Sequence, residues 1–168
     1  MPPRNQPGAS ALPSDVVDLV FRTVQPEALL NEDVLVQNVV AAMTLARDAL
    51  RSLGKAIVPC VYGWAGGRNG ASGRDERGDC GWIVMELMPG IRLRDKFSLL
   101  SEQAKKDVLD QMAAILKAFQ VWQLPDSAVG YGGFNFDGDG NIIIGATAIP
   151  GGGPCNTYLE LYAAYLKT

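Results

Sequence analysis

Residues 130–145 read "GYGGFNFDGDGNIIIG", and the reading of their centre decides what the last third of the chain is. Asn135, Asp137, Asp139 and Gly140 imitate the first half of an EF-hand loop, which takes oxygen ligands from positions 1, 3 and 5 and turns at a Gly in position 6. The bidentate Glu that closes such a loop at position 12 is missing, because that place holds Ala146. Neither flank has helical character. "YGGFNF" and "NIIIG" are short aromatic and β-branched runs separated by Asp and Gly, which is how a β-hairpin is written. A hairpin is therefore expected here, with its carboxylates serving the turn and no metal site.

Working outward, "TYLELYAAYLK" (157–167) follows as an amphipathic helix, with Tyr158, Tyr162 and Tyr165 at i, i+4 and i+7. Upstream, Ser101 is placed to cap a long helix over 102–122, in which Val108, Met112, Ile115, Leu116 and Phe119 form a stripe expected to face the core. A second long helix is expected from Asp33 to Leu53, where Val36, Val39, Val40, Met43, Ala46, Leu50 and Leu53 recur at helical spacing and Gly54 stands as a C-cap. Between the helices lie two strand candidates, "AIVPCVYGW" (56–64) and "GWIVMEL" (81–87), joined by "AGGRNGASGRDERGDC". Glycines at 63, 66, 67, 70, 73, 78 and 81 match neither G-x-G-x-x-G nor the P-loop pattern, so this connection is not a phosphate cradle. "DVVDLVFRTV" (15–24) leaves its type open, a turn or short helix is expected around Pro26, and residues 1–14 read as a Pro/Gly/Ser tail. The fold expected is α+β: one domain over 15–168, a small antiparallel sheet packed on two long helices, plus the hairpin and a C-terminal helix.

Composition narrows function by exclusion. A chain of 168 residues that is 48% hydrophobic is long enough to bury roughly 70% of its unfolded surface. Lys plus Arg number 15 against 18 Asp plus Glu, a net charge of −3, so no electrostatic footprint for nucleic acid or an anionic membrane exists. No apolar run approaches the roughly 20 residues of a membrane span, and a soluble, cytoplasmic setting is expected. Cys60, Cys80 and Cys155 are odd in number and lack C-x-x-C spacing, which argues against a disulfide framework or structural zinc. Histidine is absent altogether. That removes the Ser-His-Asp and Cys-His triads and the usual hydrolytic zinc sites, leaving carboxylates, Tyr, Cys or Lys for any proton transfer.

The order helix, strand, strand, "MELMPG", long helix resembles part of the aminoglycoside phosphotransferase family, whose fold is similar to that of protein kinases. "GWIVMELMPGIRLRDKF" looks like the family's hinge, where the last strand of the small lobe enters the linker that receives adenine. "NVVAAMTLARDAL" resembles the small-lobe helix of fungal members, and "GYGGFNFDGDGNIII" with "GGGPCNTYLELY" resembles a hairpin and helix peculiar to them. The resemblance covers about residues 34–168 and implies a partial, degenerate kinase-like fold. The departures from it matter most for function. The helix Glu that pairs with a strand lysine in that family is replaced by Val39, and no Lys precedes Lys55, only Arg4 and Arg22. The family's H-x-D-x-x-x-x-N catalytic loop and its later magnesium-binding Asp fall beyond Thr168. Phosphoryl transfer rests on those lysine, metal and Asp contributions, so none is expected.

Three readings stay open: a non-phosphorylating protein with a small-molecule cleft between sheet and long helix, repurposed as a metal-independent isomerase or cyclase that positions its substrate; a regulatory pseudoenzyme that binds a partner protein; or a fragment completed by another half. For the first, Glu86, Asp95 and Tyr62 are the candidate acid–base groups at the cleft mouth. The resemblance to the hinge points to Met85, Leu87 and Met88, with the aromatic Trp64 and Tyr131, as contacts for a small apolar organic ligand. No cofactor is implied. A partial fold leaves Phe119, Trp122 and the tyrosines of the last helix without their usual cover, so a homodimer or a partner protein on that face is expected.

Overall fold

The computed structural model describes residues 6–15, 18–24, 31–54, 56–67, 80–149 and 152–167. The turn expected around Pro26 and most of the glycine-rich connection lie outside them. Five strands and four α-helices give an α+β fold: β1 Leu19–Thr23, α1 Glu32–Ala49, β2 Val61–Ala65, β3 Trp82–Glu86, the short α2 Leu93–Lys96, α3 Glu102–Val121, β4 Gly133–Phe136, β5 Ile142–Gly145 and α4 Tyr158–Tyr165.

Helix α1 starts where Asn31 accepts a hydrogen bond from Val34 N, and acidic Glu32 and Asp33 sit at the positive end of its dipole. It ends at Leu50, and a 3-10 turn over Arg51–Leu53 runs to Gly54, whose φ of 64° is the left-handed cap that the sequence suggests. Of its apolar stripe, Val36, Val40 and Leu50 are buried. Val36 and Val40 meet Val61 and Ile83 of the sheet, and Val39, Met43, Trp64, Met85 and Phe136 pack around them. The interface between α1 and the sheet is thus apolar.

The sheet holds three strands rather than two, in the order β1-β3-β2 and antiparallel throughout. The extra strand comes from the stretch whose type the sequence left open. Phe21, Val20 and Leu19 are too sparse an apolar pattern to identify it, and its pairing with β3, Phe21 opposite Val84, is what makes it a strand.

β4 and β5 form the expected hairpin, Phe134 opposite Ile144 and Asn135 opposite Ile143. Asp137 organises its turn. Its carboxylate accepts from the Asp139 and Asn141 backbone amides at 2.9 and 2.8 Å and from Asn141 Nδ2 at 3.1 Å, while Gly140 supplies a φ of 87°. Of the two aspartates that imitate a calcium loop, Asp137 closes the turn with its carboxylate. The hairpin then lies against α1, where Asn38 Nδ2 faces Phe134 O, Asn135 Oδ1 and Ala146 O at 3.0, 2.8 and 3.2 Å.

Two expectations are corrected. Residues 6–10, read from composition as part of a free tail, are built into the body. Trp64 N donates to Gln6 Oε1, Trp64 Nε1 donates to Pro7 O, Ser10 N donates to Val61 O, and Gly8 is wedged against Phe136, Val40 and Thr44. Polar residues there satisfy strand and indole groups, which composition does not reveal. Second, the sheet does not rest on both long helices. α3 docks against α1 and the 3-10 turn, with Trp122 Nε1 donating to Asp48 at 3.1 Å. It turns Ala104, Val108, Ile115, Ala118 and Trp122 toward the body. Of the stripe expected in the core, Met112, Leu116 and Phe119 are open, 50%, 62% and 41% exposed, and Leu109 beside them is 55% exposed.

Candidate functional site

Cys60, Tyr62 and Glu86 come together at the irregular end of the sheet. The pairing of β2 with β3 runs Val61 to Met85 and then Gly63 to Val84, so Tyr62 is the extra residue of a bulge. Bulges re-aim side chains and gather at sites. Beside it, Glu86 N donates to Cys60 O at 2.8 Å and Cys60 N donates to Glu86 Oε2 at 3.0 Å, a two-way clasp that fixes the carboxylate. The side chains of Glu86 and Tyr62 both act electrostatically on the Cys60 thiol.

Burial, and then the negative charge of Glu86, push the Cys60 thiol above its usual range, against the pull of Arg47. Burial and the charges of Cys60 and Glu86 likewise raise the Tyr62 phenol. Both groups are protonated at neutral pH. They form a thiol and phenol donor pair beside a fixed carboxylate, suited to hydrogen bonding and not to nucleophilic attack, for which a thiol must ionise.

Glu86 and Tyr62, two of the three groups read as acid–base candidates, are therefore brought together, with Cys60 added. Asp95 is not. It lies exposed on α2, 3.6 Å from Arg94. Among the residues expected to contact a ligand, Met85 packs on the core and Trp64 is held by Gln6, Pro7 and a stacking contact with Phe136 at 6.0 Å. Tyr131 is engaged elsewhere, bridged to Cys155 and edge-on to Tyr158 at 6.2 Å. Leu87 is exposed and Met88 half-buried, and neither they nor Tyr131 and Trp64 line a cleft with the trio.

The expected cleft between sheet and long helix is absent because α3 docks elsewhere. A cleft of about 650 Å3 opens instead beside the C-terminal half of α1. Gly8–Ser10 form one wall, Thr44, Leu45, Arg47 and Asp48 another, Ala56–Val58 a third, and Pro125 and Ile142 close it from the hairpin side. Its position follows from the clamp on residues 6–10, which composition hides. Arg47 belongs to this cleft and its charge also reaches Cys60 and Tyr62, linking the two.

Among the described residues no group of three or more Cys, Asp or Glu side chains is arranged to hold a metal ion, and no helix is long and apolar enough to cross a membrane. Comparison with protein-family models, with curated proteins and with solved structures gave no match.

Proposed function

We propose that this chain is a non-phosphorylating, kinase-like protein that works as an assembly module, its α3 pairing with α3 of a second copy. The kinase-like part of this reading rests on the order of elements from α1 through the "MELMPG" linker to α3, and the non-phosphorylating part on the apolar interface where an ion pair would be needed. The observation that carries the assembly is the open stripe Leu109, Met112, Leu116 and Phe119. Its 3-4-3 spacing is that of a coiled-coil seam, whose residues seek cover from another helix. An antiparallel pair whose two-fold axis crosses the helix at the level of residue 114 sets Leu109 against Phe119 and Met112 against Leu116. A symmetric pair repeats each contact and closes on itself.

Light scattering across the micromolar range tests it. The mass should rise from one chain to two with concentration. Leu116→Lys, which removes the same contact twice and puts a charge in the seam, should weaken association at least about 30-fold, from roughly 1 kcal/mol of exposed leucine surface per copy. A wild-type chain that stays monomeric throughout that range overturns the reading.

A second reading is favoured by one feature, the cleft of about 650 Å3, which falls within the roughly 300–1,000 Å3 of small-molecule sites. In it the protein holds a small organic ligand, with Glu86, Tyr62 and Cys60 as the adjoining polar groups, and any chemistry is metal-independent and owes its rate to positioning.

A further inference from the structure

We infer that the cleft beside α1 is a binding site for a small organic carboxylate with an apolar body, and that Arg47 holds the carboxylate. This rests on the ligand-cleft reading above and adds the class of ligand. Among the described residues, the charged groups of the cleft are Arg47, Asp48 and Arg51. Asp48 is committed on both oxygens: Oδ1 pairs with Arg51 at 2.6 Å and Oδ2 accepts from Trp122 Nε1 at 3.1 Å. That pair is neutral together. Arg47 has no carboxylate within ion-pair distance among the described residues, its one polar contact being a long one, 3.4 Å, to Ser10 Oγ.

Among the described residues Arg47 is thus the cleft cation without a carboxylate partner, in a chain whose overall charge is −3. A guanidinium presents donors in a planar fork that matches a carboxylate bidentately, and Ser10, whose hydroxyl accepts from Arg47, keeps its proton for a second contact. The remaining walls are aliphatic, Leu45, Leu50, Ile57, Val58 and Ile142, and suit a hydrocarbon and not a sugar or a nucleotide. A nucleoside phosphate would bring more negative charge than one free Arg offsets.

The test compares octanoate with 1-octanol, probes of the same chain length that differ in charge, by calorimetry and by amide chemical-shift mapping. Octanoate should bind saturably and more tightly than 1-octanol, shifting residues 8–10, 44–51 and 56–58. Arg47→Gln should weaken octanoate about 10- to 100-fold, the range of a charge-assisted pair, and leave 1-octanol unchanged. Arg47→Lys should recover part of the loss, and Ala56→Trp, which fills the cleft from an exposed position, should weaken both probes. If the two probes bind equally, or Arg47→Gln binds octanoate as the wild type does, the carboxylate assignment is overturned while the ligand cleft stands. If neither probe saturates, the ligand-cleft reading itself falls.

Discussion

Asn38 should be the residue on which attachment of the hairpin turns. It stands on α1 between Val36 and Val39, and its single amide nitrogen faces three oxygens of a segment 96 to 108 positions further along the chain. Asn135 completes the arrangement by donating to Ala146 O at 3.0 Å. In Asn38→Ala, Ala146 O keeps that donor, but Phe134 O and Asn135 Oδ1 lose theirs at a half-buried site. Two hydrogen bonds at roughly 1 kcal/mol each, plus part of the desolvation penalty of the orphaned acceptors, come to about 2–3 kcal/mol. For a chain of this size that is a fall in Tm of about 4–12 °C. Asn38→Asp should be worse than Asn38→Ala at neutral pH despite its near-identical shape, because it sets a carboxylate against three acceptor oxygens, and it should recover on acidification as the carboxyl regains a proton. The assay is thermal denaturation at neutral and acidic pH combined with hydrogen exchange, in which the amides of 133–145 should lose protection before those of α1. A Tm for Asn38→Ala within about 1 °C of wild type, or Asn38→Asp as stable as the parent at neutral pH, would refute this. Because Ile142 closes one side of the cleft, the Ala variant should also bind any cleft ligand more weakly.

Three further outcomes are expected. The carboxyl of Asp137 is held below its usual value by the Asn141 side chain and backbone amides; a depressed folded value stabilises above the unfolded one, about 3.9, and that contribution disappears as pH falls through the folded value. Exchange protection of the turn should accordingly drop in acid, and much less so in Asp137→Asn. Gly8→Ala should destabilise the fold by at least about 1 kcal/mol, since φ is 70° and a Cβ would stand 2.7 to 2.9 Å from Phe136, Val40 and Thr44; an unchanged melting curve would show that residues 6–10 are not clamped. Cys60 should be alkylated by iodoacetamide more slowly than the exposed Cys80, faster in Glu86→Gln, which removes a charge that raises the thiol, and slower in Arg47→Gln, which removes one that lowers it; peptide mass mapping reads all three rates.

Sequence alone determined what local physics decides. The serine at 101 caps α3 by accepting from Ala104 N, Gly54 ends the first helical unit in the left-handed region, and alternation across an Asp-Gly turn specifies the 133–145 hairpin. The same chemistry accounts for α4, where Thr157 and Glu160 form a reciprocal capping box. Each of these depends on groups within a few residues of one another. The apolar periodicity of α3 was legible too, but it says only that the stripe seeks cover, not that this chain provides it. Tertiary structure decided that Ala118 and Ile115 meet the body while Leu116 and Phe119 remain open, that Phe21 lies in a strand because β3 offers it an edge, and that Gly8 and Ser10 build a cleft wall. Likewise Asp48, paired through one oxygen with its near neighbour Arg51, has the other taken by Trp122, 74 positions along the chain. A residue's neighbours along the chain set its conformation, whereas its partners across the fold set whether its charge or its apolar surface is left over, and that remainder is what can bind.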